Sequence, residues 1–67
     1  MNRDKLTFRY FFNAGIDRIT GICDAEGTDI LYDGYYVGCI YFKHPSELAE
    51  MEDEELEEVF AENGILL

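Results

Sequence analysis

Asp33-Gly34 limits the fold of this chain more than any other pair, because it stands between two β-forming runs, Ile30-Leu31-Tyr32 and Tyr35-Tyr36-Val37. A two-residue type I′ loop needs positive φ at both central residues. Asp and Gly tolerate this, and the turn's twist matches that of paired strands. A loop of that length fixes the pairing on either side: Tyr32 opposes Tyr35, Leu31 opposes Tyr36 and Ile30 opposes Val37. The last strand then continues to about Phe42, and Lys43-His44-Pro45 ends the sheet.

Upstream, Leu6, Phe8, Tyr10 and Phe12 alternate with Thr7 and Arg9, the period of a strand with one buried face. Asn13-Ala14-Gly15 reads as a turn, residues 16–23 (IDRITGIC) as a less regular strand with a bulge at Gly21, and residues 24–29 (DAEGTD) as a polar turn. These give an α+β fold: an antiparallel β-meander of four strands in residues 5–42, or of three with the second strand irregular. In the four-stranded register one face collects Leu6, Phe8, Tyr10, Phe12, Ile16, Ile22, Leu31, Tyr36, Ile40 and Phe42. The other collects Phe11, Ile19, Cys23, Ile30, Tyr32, Tyr35, Val37, Cys39 and Tyr41.

The C-terminal third supplies the cover. Leu48, Met51, Leu56, Val59 and Phe60 recur at helical spacing among strong helix formers, and Asn63-Gly64 supplies a helix stop. In one unbroken helix Glu52 and Glu55 would fall inside the apolar arc. A break near Met51 and Glu52 removes that conflict. Ser46 then caps a short first helix after Pro45, and Glu52 or Asp53 opens a second running to about Asn63. Leu56, Val59 and Phe60 form its buried stripe.

Charge is divided as sharply as structure. Residues 1–46 hold six acids and five bases, net −1, and residues 47–67 hold nine acids and no base, net −9, making the total of −10. Glu57, Glu58 and Glu62 have no base at i,i+4, so the charge costs helix stability. Ordinary solvated helices mix signs, and this one does not. Such a surface excludes direct binding of nucleic acid or an anionic membrane, and its natural partner is a basic surface on another protein.

Helical carboxylates three and four apart sit about 5–6 Å from one another, comparable to phosphates along a nucleic-acid strand. The residues expected to carry the contact are Glu50, Asp53, Glu54, Glu57 and Glu58. In size and one-sided acidity the chain resembles the nucleic-acid mimics that phages and mobile elements use against restriction, CRISPR or DNA-repair enzymes. The resemblance covers only the last third and rests on no shared motif. It implies a decoy that inhibits a nucleic-acid-binding protein. The opposing expectation is a helix face that merely keeps a small protein soluble.

A rival surface comes from counting layers, since one helical layer covers one sheet face and nothing covers the other. Tyrosine-rich faces are common at interfaces, so Tyr32, Tyr35, Val37 and Tyr41 are the candidate face for a homodimer or for docking as a structural subunit.

No enzyme, cofactor or metal is expected. Cys23, Cys39 and His44 are the soft ligands, but their spacing lacks the close cysteine pair of a structural zinc site. The register leaves Cys23 and Cys39 poorly placed for a disulfide, so both are read as free thiols. Nothing in the sequence sets a cysteine beside His44 for nucleophilic catalysis. Residues 24–29 lack the glycine and glutamate positions of a calcium loop. The helix carboxylates stand on a convex face without a cleft. Sixty-seven residues make one domain with a small core. With no leader and no apolar run long enough to span a membrane, a soluble cytoplasmic protein is expected.

Overall fold

The computed structural model describes residues 1–16, 19 and 23–67 of the chain. After a single 3-10 turn at Arg3–Lys5, three strands follow in order: β1 (Leu6–Ile16), β2 (Cys23–Tyr32) and β3 (Tyr35–Tyr41). Two helices complete the chain, α1 (Pro45–Glu50) and α2 (Asp53–Glu62). The fold is α+β, with β2 central in an antiparallel sheet of order β1-β2-β3.

The Asp33-Gly34 loop forms as its residue types dictate. Both residues have positive φ, 52° and 85°, and Tyr32↔Tyr35 and Leu31↔Tyr36 pair on either side. The third expected pair does not form. Ile30 faces Gly38, so Val37 is an extra residue in a bulge. Gly38 completes the bulge at φ 156°, beneath the side chain of Ile65.

The sheet has three strands among the described residues, and the expected turn at residues 24–29 is a correction: this segment lies in strand β2, with residues 25–29 paired to β1 and 27–29 also to β3. Its polar side chains are satisfied across the sheet. The buried Thr28 hydroxyl donates to the Lys43 carbonyl at 2.7 Å, and Asp29 pairs with Arg9 at 3.4 Å. Asn13-Ala14-Gly15 is likewise part of β1, where the register shifts between Asn13 and Ile16. Most of the second strand expected at residues 16–23, including the bulge at Gly21, lies outside the described residues.

The helix break falls where the buried-carboxylate conflict requires it, with Met51 and Glu52 between α1 and α2. Glu52 and Glu55 are both exposed. The first cap differs from expectation: His44 is the N-cap of α1, Pro45 takes the first helical position and Ser46 lies inside the helix. Helix α2 ends in a Schellman motif. The Ile65 amide donates to the Phe60 carbonyl at 2.8 Å and the Gly64 amide to that of Ala61 at 3.1 Å, with Gly64 left-handed at φ 72°. This motif folds Ile65 back into the core.

That core is Ile30, Ile40, Leu48, Leu56, Phe60 and Ile65, flanked by Leu6, Phe8, Val37, Met51 and Val59. Arg3 locks the helical layer to the start of β1. Its guanidinium donates to the carbonyls of Met51 (2.7 Å) and Ala49 (3.2 Å) and pairs with Asp53 at 3.0 Å. One arginine thus satisfies carbonyls at the end of α1 and ties them to Asp53 in the first turn of α2.

The face assignments need correction. Leu6 opposes Tyr32 and Phe8 opposes Ile30, so the face bearing Leu6 and Phe8 also bears Ile30 and Tyr32, not Leu31 and Tyr36. The bulge at Val37 then shifts the parity of β3, which keeps Ile40 on the core side while Tyr36 points away. Val37 itself packs against the core.

Candidate acidic interface

All nine carboxylates from Glu47 to Glu62 are exposed, because the apolar stripe of α2 turns Leu56 and Phe60 inward and leaves the acids on the outer arc. Helical spacing sets them in rows. Asp53 and Glu57 form one, and Glu54, Glu58 and Glu62 another, with about 5–6 Å between neighbours. Glu50, one turn before the break, adds a carboxylate on α1.

The expected set Glu50, Asp53, Glu54, Glu57 and Glu58 therefore shares one solvent-facing layer. Asp53 differs from the rest in that Arg3 holds it. Among the described residues this is the only ion pair the acidic segment makes. The remaining carboxylates have no ion-pair partner among the described residues, and no lysine or arginine stands within the segment to neutralise them.

The expected tyrosine face does not assemble as one surface. Tyr32 and Tyr35 oppose each other at the hairpin end on the pleat side of Ile30, and Val37 packs against the core. Of the four residues only Tyr41 lies on the uncovered side. Its neighbours there are three cross-strand rows: Thr7–Leu31–Tyr36, Arg9–Asp29–Cys39 and Phe11–Gly27–Tyr41. Phe11 and Tyr41 meet edge to face over Gly27, ring centroids 5.6 Å apart. The pKa of Tyr36 is raised above the usual 10, chiefly by its interaction with the Cys39 side chain, with lesser contributions from partial burial and from nearby Asp29 and Tyr41.

A second polar cluster escaped the sequence reading. The Tyr10 hydroxyl donates to Glu26 Oε2 at 2.7 Å, His44 Nε2 lies 3.4 Å from Glu26 Oε1, and the Tyr10 and His44 rings stack at 5.2 Å. The bond to Glu26, with smaller effects of desolvation and the Glu26 charge, raises the Tyr10 pKa above its usual 10. Residue spacing gives no sign of this cluster, since Glu26 reaches the other two only once β2 is recognised as a strand. His44 stands here with Glu26, whereas Cys39 lies on the uncovered face, so the sheet separates the two. Cys39 is a free thiol. Among the described residues no group of three metal-ligating side chains converges, and no helix is long and apolar enough to cross a membrane.

Compared with known proteins, the chain matches no family model, no curated sequence and no solved structure.

Proposed function

We propose that this chain is a small acidic protein-binding module, cytoplasmic and without catalytic activity, whose Glu50, Asp53, Glu54, Glu57 and Glu58 dock on a basic surface of a partner protein. In its sharper form the helical layer occupies a surface that otherwise holds nucleic acid, making the protein a decoy inhibitor of the anti-restriction or anti-CRISPR type. One observation carries the reading: nine exposed carboxylates on one layer, of which Asp53 alone has an ion-pair partner among the described residues.

The physical reason is the cost of that arrangement. Like charges at i,i+4 destabilise a helix by about 0.2–0.5 kcal/mol per pair, and a few interspersed lysines would keep the protein soluble without that cost. A lysine- and arginine-lined channel relieves the repulsion, and displacing its counterions adds the driving force that nucleic acid itself uses. Arg3 keeps the rows in register by fixing the junction of α1 and α2.

Affinity capture from lysate with tagged protein, washed at low and then high salt, tests the reading. Nucleic-acid-handling proteins released by the high-salt wash are the expected result. Recovery only of proteins that resist the salt wash would overturn it.

A further inference from the structure

We infer that the uncovered sheet face is a two-fold interface with a second copy of this chain, built on Phe11, Leu31, Tyr36, Cys39 and Tyr41 around the Arg9–Asp29 pair. This inference does not depend on the function proposed for the acidic helices, which lie on the other side of the sheet.

Among the described residues, the three-stranded sheet has helices on one side and no element packed as a layer on the other, and that second face is not polar. Leu31, Phe11 and Cys39 are only half-buried, and Tyr36 and Tyr41 remain 58% and 46% exposed. Two apolar rows flank one charged row.

Charge identifies the occupant. The helical side of the molecule carries nine acids, so a basic partner is drawn there and not to the sheet. Among the described residues, the three cross-strand rows of this face carry one base and one acid, Arg9 and Asp29, 3.4 Å apart. Such a pair is self-complementary: a two-fold axis sets the Arg9 of each copy against the Asp29 of the other. A second copy of this strongly anionic chain can approach by this face without meeting a net like charge.

The geometry also keeps the acidic layers apart. Sheet to sheet is about 10 Å, and packing one helix on each sheet adds roughly 10 Å on either side, so the two helical layers stand about 30 Å from one another. That is almost four Debye lengths of about 8 Å at physiological salt, where their repulsion is screened. The resulting dimer carries an acidic layer on each outer surface and is bivalent toward a basic partner.

Sedimentation equilibrium from about 1 µM to about 1 mM chain tests the inference, the range suited to an interface at the small end of the specific class. The wild type is expected to move from the 7.8 kDa chain mass to twice that value. Tyr36→Glu and Arg9→Glu change exposed side chains and are expected to keep the wild-type circular dichroism while weakening the dimer at least about tenfold each. Glu57→Gln is expected to leave it unchanged. A wild type that stays at the chain mass throughout would overturn the inference, as would a dimer that survives both sheet substitutions.

Discussion

Replacing Gly38 by alanine tests the bulge that sets the faces of the sheet. Two separable costs follow. At φ 156° an L side chain is strained, a cost of order 1–3 kcal/mol. The added Cβ would also lie 2.6 Å from Cγ1 of Ile65, which is only 3% exposed and cannot swing into solvent without leaving the core. Overpacking of that kind costs about 1–3 kcal/mol. The sum, roughly 2–6 kcal/mol, is a large part of the roughly 3–10 kcal/mol expected for 67 residues at typical stability per residue.

Gly34→Ala is the internal control. Gly34 also has positive φ, but nothing lies within 4 Å of its added Cβ, so it carries the conformational cost alone. Thermal unfolding followed by circular dichroism should place Gly38→Ala at least about 4–8 °C below Gly34→Ala, the shift that 1 kcal/mol gives a domain of this size. Adding Ile65→Val to Gly38→Ala should recover part of the loss. Equal melting temperatures for the two alanine variants would show that Ile65 does not sit on Gly38, and the packing of the Schellman turn on β3 would be wrong.

Three further outcomes follow from the structure. Arg3→Ala removes the donor to two carbonyls and the partner of Asp53, and should lower stability by about 1–3 kcal/mol in denaturant unfolding, with the loss only partly reproduced by Asp53→Asn. Leu56→Ala empties a fully buried position and should cost about 2–5 kcal/mol, enough to unfold much of the protein at 37 °C by circular dichroism. Ultraviolet titration of the tyrosines should show Tyr10 and Tyr36 ionising above the usual 10, and Glu26→Gln should lower the Tyr10 value. Because both pKa values are raised by folding, their contribution to stability is complete below pH 10 and is lost as pH rises through the folded values.

The hairpin, the helix break and the outward carboxylates were legible in the sequence because each rests on local chemistry: positive φ at Asp33-Gly34, buried charge at Glu52 and Glu55, and the 3.6-residue period of Leu56, Val59 and Phe60. The central strand was not. Residues 24–29 have turn composition, and they form a strand because Tyr10 with His44, Lys43 and Arg9 satisfy Glu26, Thr28 and Asp29 from elsewhere in the chain. The faces failed with it, and a bulge of one residue at Val37 finished the exchange. Gly38 was the available signal, since glycine inside a strand often marks a bulge. Ile65 was missed as core because it lies beyond the helix stop, and only the Schellman turn carries it back.

Affinity for the captured partner, measured between about 50 and 200 mM salt for the wild type and for the variant with Glu50, Asp53, Glu54, Glu57 and Glu58 changed to Gln or Asn, tests the central claim most directly. The account predicts wild-type binding that weakens about tenfold or more over that range, and variant binding that is lost or nearly insensitive to salt. Equal affinity of the two proteins, or a wild-type affinity independent of salt, would contradict it.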